Sequence, residues 1–285
     1  MDHSCFDVET KDKIAQVRLN RPNELNTMTR EFWSELPEII NRISDEGEAR
    51  VIVLSSTGRH FTAGMDLAVF TGGVGMGMEQ GGGGGSAEVG RQRANVRLGV
   101  LHLQETFSCL EKARIPVIAA VQGGCIGGGV DMISACDMRY ATADAFFCIQ
   151  EINIGITADV GTLQRLPKII PEGIAREMAY TGSRMPAKRA REVGLVNEIF
   201  EDHEALLEGV TEIAAGIAAR SPLAIWGTKE MINYARDHSV ADGLNFVATW
   251  QTGMFQPADM LEAFKAKGEK REPRYDDLLP PQRKL

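Results

Sequence analysis

The chain has 285 residues, of which 44% are hydrophobic, and a formal net charge of −8. This length allows one large domain with a substantial hydrophobic core. The acidic balance argues against a nucleic-acid-binding protein, because such a surface normally carries a basic patch. The sequence also lacks any apolar stretch near the ~20 residues that a membrane-spanning helix needs.

The cysteines are odd in number and show neither CxxC spacing nor a histidine-rich partner segment, which argues against a zinc site. Most of them lie in apolar runs, so we expect buried free thiols in a reducing compartment. They are Cys5, Cys109, Cys125, Cys136 and Cys148.

The two ends of the chain bear on targeting. The amino-terminal segment contains acidic residues and no apolar core, so we expect neither a secretory signal nor a transit peptide. The chain ends in Arg283-Lys284-Leu285, which is similar to the peroxisomal Ser-Lys-Leu signal except for the arginine. A peroxisomal signal and a solvated basic tail are therefore both open.

The first elements in chain order are a strand, a helix and a second strand. Ile14–Leu19 alternates apolar and polar residues, as a half-exposed strand does. From Thr29, a candidate N-cap, the apolar residues follow helical spacing, and Val51–Leu54 indicates a buried strand. This order is typical of α/β layers.

Two glycine-containing segments follow the second strand. The small residues of His60–Leu67 would let the backbone approach a ligand closely, although a tight turn explains them as well. Thr71–Gly90 holds ten of the 30 glycines and lacks the GxxxxGK[ST] pattern of nucleotide-binding loops. We therefore expect a flexible loop at 71–90, either a surface insertion or an active-site cover.

In the rest of the chain, the sequence pattern predicts both strands and helices up to about residue 203 and mainly helices after it. Pro116 introduces a strand at Val117–Val121, and Ser221-Pro222 is a helix break with an N-cap. Further strands are predicted at 138–141 and 145–149, and helices at 93–112, 130–136, 163–169, 173–181, 187–193, 204–219, 222–236, 241–252 and 258–267.

The turn Gly127-Gly128-Gly129 lies between a predicted strand and a predicted helix. Its backbone N–H groups would point from the positive end of the helix dipole, where they can stabilise an anion or an enolate-like oxygen. Dinucleotide binding is the competing interpretation, but the spacing is not GxGxxG. Purely structural glycines remain a third possibility.

Three carboxylates near this turn are candidate proton-transfer groups. Asp131 lies near the start of the predicted helix, where a capping role is the alternative. Glu151 ends an apolar run and Asp159 lies among apolar residues, so desolvation would raise their pKa values toward the range that proton transfer needs. Asp159 could instead cap a helix that begins near Val160. No GxSxG or HExxH motif competes with these carboxylates.

Several ordered motifs resemble the crotonase superfamily, also called the enoyl-CoA hydratase/isomerase family, across essentially the whole chain. They are RPNELNTM, FTAGMDL, IPVIAAVQGGCIGGGVD, ACDMRYAT and SPLAIWGTK. Within the family, the segment GGCIGGGVDMISACD and the later DAFF, ADVGTLQRLPK and RDHSV are most similar to Δ3,5-Δ2,4-dienoyl-CoA isomerases. Hydratases usually carry Glu in place of Asp131 and Pro-Gly in place of Ala158-Asp159.

The resemblance implies roles for individual residues. The backbone N–H groups of Met65 and Gly128 would form an oxyanion hole for the thioester carbonyl. Glu151 would take a proton from carbon 2, Asp159 would deliver one to carbon 6, and Asp131 would orient or tune this pair. The residues implied in binding the CoA part of the substrate are Ala63, Asp66, Leu67, Phe264 and Lys267.

The resemblance also implies the architecture and the partners. The expected fold is α/β, with a crotonase-like spiral core of ββα turns at 1–202 and a helical trimerisation section at 203–285. We expect an acyl-CoA substrate, no separate cofactor or metal, a homotrimer or homohexamer, and a peroxisomal or mitochondrial location in fatty-acid β-oxidation. The alternatives are an enoyl-CoA hydratase, which is a lyase, and a non-catalytic CoA-binding homologue.

Overall fold

The computed structural model describes residues 3–66, 68–69 and 89–282. Three predictions fall wholly or mainly outside these ranges. They are the flexible loop at 71–90, the CoA contact of Leu67, and the signal at residues 283–285.

The largest sheet has six strands in the order β1-β2-β3-β4-β6-β9, and only the pair β1 and β2 is antiparallel. Its central strands are continuous apolar runs, because both faces of the sheet are covered. The strands are Phe6–Lys11, Ile14–Leu19, Val51–Ser56, Val117–Val121, Met138–Thr142 and Glu198–Phe200, which are β1, β2, β3, β4, β6 and β9.

A smaller sheet has three strands, β5 (Gly124–Ile126), β7 (Phe146–Cys148) and β8 (Met185–Pro186). Strand β5 begins three residues after β4 ends, so the chain passes directly from the large sheet to the small one. This step places the end of β5 at the glycine turn. The small sheet therefore fixes the position of the helix that follows.

The helices cover both faces of the large sheet and form most of the carboxyl-terminal part. In chain order they are α1 (Arg30–Glu46), α2 (Val89–Lys112), α3 (Gly128–Ser134), α4 (Thr162–Arg165), α5 (Glu172–Thr181), α6 (Ala187–Glu192), α7 (His203–Ala218), α8 (Pro222–Ala235), α9 (Val240–Met254) and α10 (Pro257–Glu269). Short 3-10 turns occupy Pro22–Glu24, Glu151–Ile154 and Leu166–Lys168.

Alternate residues of one strand enter different cores. Ile52 and Leu54 of β3 pack into the larger cluster with α1 and the end of α2. Val51 and Val53 of the same strand pack on the opposite face, against the buried side of α7. Because strand side chains alternate between the faces of a sheet, one short apolar run supports two layers. Helix α7 is therefore the second covering layer of the sheet.

The predicted strands and helices agree with the observed ones to within a few residues, and the α/β class is confirmed. The cysteine prediction is also confirmed, since all five thiols are free and buried. Ser221 caps α8 as predicted, because its hydroxyl accepts a hydrogen bond from the Ala224 N–H. The division of the chain at residue 202 remains a prediction.

Candidate active site

The backbone around Gly64 lies beside the glycine turn. Thr62 exchanges backbone hydrogen bonds with the β5 strand, donating to the Gly124 carbonyl at 3.1 Å and accepting from the Ile126 N–H at 3.2 Å. Gly64 has a φ of +90°, and a Cβ there would lie 2.9 Å from the Ile126 carbonyl oxygen. Only glycine allows this conformation and this close approach.

Two backbone N–H groups in these neighbouring segments, those of Met65 and Gly128, are free to donate a hydrogen bond. Neither the Met65 N–H nor the Gly128 N–H has a hydrogen-bond acceptor within the described ranges. Gly128 is the first residue of α3, whose early N–H groups have no partner inside the helix. Free N–H groups that are fixed by surrounding backbone are what an oxyanion hole requires. The geometry is thus compatible with the roles that the family resemblance implies.

Asp131 lies fully buried in α3. Its Oδ1 accepts a hydrogen bond from the Thr162 N–H at 2.6 Å, at the first residue of α4. The Asp131 carboxylate therefore caps the amino end of α4, although the residue itself lies near the start of α3. Its Oδ2 is buried and has no partner in the described part of the chain. Burial raises the pKa of Asp131 to about 6, although the bond from Thr162 opposes this shift.

Glu151 is the first residue of the 3-10 turn after β7. Its Oε1 would lie 3.4 Å from a Cβ at Gly127, so the carboxyl group is directly beside the glycine turn. Its Oε2 is buried, with no partner among the residues described. Burial is the main cause that raises the pKa of Glu151 to about 7, and the nearby Asp131 charge adds to it. A carboxyl group with this pKa can exchange protons near neutral pH.

Asp159 lies in the extended segment before α4 and is more exposed than the other two carboxylates. Even so, partial burial raises its pKa. The alternative that Asp159 caps a helix is not supported, because α4 begins at Thr162 and its N-cap is Gly161, without a side-chain capping bond. Asp159 is therefore available for another role.

The three carboxylates form one electrostatic group. The charge of Asp159 raises the pKa values of both Asp131 and Glu151, and the charge of Asp131 raises that of Glu151. Like charges at this proximity disfavour simultaneous ionisation, so the protons are shared among the group. The structure thus brings together residues that are 20 and 28 positions from Asp131 in the sequence.

The residues implied in CoA binding occupy two separate places. Ala63 and Asp66 flank the Gly64 segment, where the Ala63 N–H donates to the Leu25 carbonyl at 3.0 Å. The Asp66 carboxylate accepts from the Thr27 hydroxyl at 2.9 Å and from the Ala68 N–H, which together lower its pKa. The structure therefore gives Asp66 a local structural role, and its contact with CoA stays a prediction.

The other implied CoA residues, Phe264 and Lys267, lie exposed on α10. Phe264 is 66% exposed, a high value for an aromatic side chain. Lys267 forms no hydrogen bond or ion pair with the three carboxylates in the described part of the chain. The contact of Phe264 and Lys267 with CoA stays a prediction.

Sequence reasoning missed the residues that hold the carboxylates in place. The Gln104 side chain of α2 donates to the Asp159 carbonyl at 2.8 Å. Arg165 of α4 lies against Gly161 and pairs with Glu111 of α2 at 3.1 Å. The Gln104–Asp159 and Arg165–Glu111 contacts join residues 55 and 54 positions apart, and no local sequence pattern signals them.

Two kinds of feature are absent from the described residues. Within residues 3–66, 68–69 and 89–282, the structure holds no cluster of histidine, cysteine or carboxylate side chains that could hold a metal ion. No helix in the same ranges is long and apolar enough to cross a membrane.

The raised pKa of Glu151 predicts a pH-dependent cost in stability. Between its ordinary value of 4.5 and about 7, the folded chain holds this proton more strongly than the unfolded chain does. The contribution of Glu151 to the free energy of unfolding therefore falls as the pH rises through this window. Glu151→Gln cannot ionise, so we expect it to match the parent protein near pH 5 and to exceed it by about 1–3 kcal/mol at pH 8.

Urea denaturation of both proteins at the two pH values measures this difference. The exposed replacement Glu38→Gln serves as the control and is expected to show no pH-dependent gain. A constant difference between Glu151→Gln and the parent protein across this range would contradict the prediction.

Comparison with known proteins agrees with this geometry. The family described as Enoyl-CoA hydratase/isomerase matches residues 9–278. The chain is 43% identical over 260 residues to the mitochondrial Delta(3,5)-Delta(2,4)-dienoyl-CoA isomerase of Homo sapiens, covering 91% of this chain and 77% of the human protein. It is 40% identical to the peroxisomal Delta(3,5)-Delta(2,4)-dienoyl-CoA isomerase of Arabidopsis thaliana, with 94% and 95% covered.

A solved structure shows the same fold. The enoyl-CoA hydratase from Bacillus anthracis superposes with a TM-score of 0.82 and 31% sequence identity, covering 95% of this chain and 99% of that one. The matched region includes the glycine turn and all three carboxylates. The expected crotonase-like fold is confirmed. The chain therefore belongs to the enoyl-CoA hydratase/isomerase family and is an isomerase of that family.

Proposed function

We propose that this isomerase converts a 3,5-dienoyl-CoA into the corresponding 2,4-dienoyl-CoA. The observation that carries the proposal is the meeting of Glu151 and Asp159 in one electrostatic group with the buried Asp131. In the proposed reaction a proton leaves carbon 2 and a proton enters carbon 6. Because these carbons are four bonds apart, one group removes the first proton and a second group adds the other. The names of the human and Arabidopsis relatives support this substrate.

The proposed reaction begins at carbon 2. Glu151 removes a proton there, and the electron pair enters the conjugated system as a trienolate whose oxygen is negative. The N–H groups of Met65 and Gly128 bind this oxygen, and one such donor typically contributes ~3 kcal/mol to the transition state. Glu151 is suited to this step because its carboxyl group lies beside the glycine turn.

The reaction ends at carbon 6. Asp159 donates a proton there, so the chain of double bonds shifts from positions 3 and 5 to positions 2 and 4. One proton leaves the substrate and one enters it, which balances the reaction without a redox step. Asp131 holds α4 through the Thr162 N–H and raises the pKa of Glu151 by its charge. The reaction requires no cofactor, because CoA is part of the substrate.

The nearest alternative is hydration of a 2-enoyl-CoA, since the Bacillus anthracis structure is named as a hydratase. Asp159 favours the isomerase, because hydration needs no proton at carbon 6. Initial rates on 3,5-dienoyl-CoA and on 2-enoyl-CoA separate the two activities. We expect the isomerisation to be faster, and dominant hydration would overturn the proposal. A chain that binds both thioesters without turnover would instead be a non-catalytic CoA-binding homologue.

The proposed assembly is supported by the exposed apolar surface of the carboxyl-terminal helices. Large hydrophobic side chains there are 52% to 81% exposed, and a groove of about 530 Å³ lies between α8, α9 and α10. Exposed apolar surface of this extent marks an interface between proteins. The proposed assembly is a homotrimer or homohexamer, which sedimentation velocity would test against a monomer. The exposed residues are Ile232, Val240, Leu244, Phe255, Leu261 and Phe264.

The proposed location is an organelle that carries out fatty-acid β-oxidation, because the relatives are named as mitochondrial or peroxisomal. The tripeptide at 283–285 would direct the chain to peroxisomes. A fluorescent fusion with and without these three residues tests this: loss of peroxisomal signal on their removal is expected. An unchanged distribution would contradict the signal.

A further inference from the structure

A polar cavity of about 630 Å³ lies behind the segment that carries Asp159. Its walls come from α2, from the segment Val160–Ile169 and from the end of α8, and its volume falls in the range of small-molecule pockets. Gln104 and Gly161 belong to both the cavity wall and the surroundings of Asp159. The proposed reaction leaves the cavity without a role.

The charges that line the cavity do not cancel. Four cationic side chains and two carboxylates face it, so two positive charges are in excess. This local excess contrasts with the net charge of −8 on the whole chain. The cationic residues are Arg139, Arg165, Lys168 and Arg236, and the acidic residues are Glu111 and Asp237.

The first uncompensated charge belongs to Arg139, which is only 8% exposed. Its Nε donates to the Leu195 carbonyl at 2.7 Å, and its Nη1 donates to the carbonyls of Ile133 and Cys136. No carboxylate forms an ion pair with Arg139, and its Nη2 has no acceptor, in the part of the chain that the structure describes. The carboxylate of the nearby Asp137 pairs with Lys229 instead. A buried guanidinium that is held only by neutral carbonyls can still pair with an anion.

The second excess positive charge arises because two arginines share one carboxylate. Arg165 and Arg236 both pair with the single carboxylate of Glu111, so two guanidinium groups face one negative charge. Lys168 pairs separately with Asp237. A dianion bound in the cavity would therefore neutralise its two excess positive charges. Guanidinium groups present parallel N–H donors that match the oxygens of a phosphate group.

We propose that this cavity is a binding site for a phosphate dianion, carried either by inorganic phosphate or by a small phosphate monoester. The cavity is larger than one phosphate group, which leaves room for the organic part of an ester. Arg139 forms the floor of the site, and Arg165, Arg236 and Lys168 form its rim. The site is distinct from the carboxylate group, with which it shares Gln104 and the segment around Gly161.

Isothermal titration calorimetry of the purified full chain with inorganic phosphate and with glycerol 3-phosphate tests the proposal. We expect saturable binding of one phosphate per chain and none of neutral glycerol. Tighter binding of glycerol 3-phosphate identifies an ester site, and equal binding identifies a site for the phosphate group alone. The absence of saturable binding by either anion overturns the proposal.

Substitutions locate the site. Arg139 supports three carbonyl groups, so its replacement endangers folding, and the rim variants Arg236→Gln and Lys168→Gln are used instead. Each is expected to weaken phosphate binding about tenfold, a loss of ~1.4 kcal/mol. Lys188→Gln removes an exposed charge outside the cavity and is expected to leave binding unchanged.

A second control separates this site from the proposed CoA contact. Lys267→Gln is expected to retain phosphate binding, whereas loss of binding in this variant alone would place the phosphate at the CoA site and overturn the proposal. Binding is measured without turnover, so the result stands apart from the proposed isomerase reaction. Unaltered binding in both rim variants would also refute the cavity site.

Discussion

Glu151→Gln is expected to lower kcat for 3,5-dienoyl-CoA by about 10²–10⁴-fold, the usual contribution of a general base. Glutamine keeps the size of the side chain beside Gly127 but cannot accept the proton from carbon 2. Substrate binding rests on other groups, so KM is expected to change little. Initial rates measured by the absorbance of the conjugated product give both constants.

The exposed replacement Glu38→Gln makes the same chemical change far from the site and is expected to keep the parent kcat. Proton exchange at carbon 2 gives a second measurement, because removal of that proton is the step assigned to Glu151. The variant is expected to lose this exchange in deuterated water together with turnover. Retention of both would exclude Glu151 as the base.

Asp159→Asn is expected to lower kcat by about 10²–10³-fold and to separate the two proton transfers. The Gln104 side chain binds the main-chain carbonyl of Asp159, which the substitution leaves in place. Glu151 also remains, so deuterium is expected to enter carbon 2 of the unreacted substrate. Delivery of deuterium to carbon 6 is expected to be lost. Mass spectrometry and NMR of substrate and product measure both labels.

The matched control is Asp12→Asn, at an exposed turn residue with a φ of +50°, a conformation that asparagine tolerates. It is expected to give parent turnover and full label at carbon 6. Unchanged turnover and unchanged label in Asp159→Asn would refute the proposed role of Asp159. Loss of exchange at both carbons would show instead that Asp159 acts on the first step.

These experiments rest on a site whose parts differ in how far the sequence predicts them. Strand Val117–Val121 is visible as an apolar run after Pro116, and the glycine turn follows it. Both signals are local, because strand periodicity and glycine conformation depend on neighbouring residues. The sequence pattern is thus sufficient to place the glycine turn at the start of α3, and its oxyanion-binding role stays a prediction.

The carboxylates show where the local signal ends. The apolar neighbours of Asp159 predict desolvation, and its pKa is indeed raised, but the residue itself is more exposed than this pattern suggests. Residues 158–162 alone did not decide whether Asp159 caps a helix, because a helix that began two residues earlier would have made Asp159 its N-cap. The observed start at Thr162 leaves Gly161 as the N-cap.

By itself, the sequence determined the helices, the central strands of the large sheet, the glycine turn and the family, because each is encoded in local patterns or in ordered motifs. The strands Phe6–Lys11, Gly124–Ile126, Met185–Pro186 and Glu198–Phe200 were not predicted. Only the tertiary structure decided that Glu151 lies against Gly127, that Asp131 binds the Thr162 N–H, and that four cationic side chains share one cavity. These contacts join residues 24 to more than 90 positions apart. They depend on how the sheets and helices pack, and local periodicity carries no information about that packing.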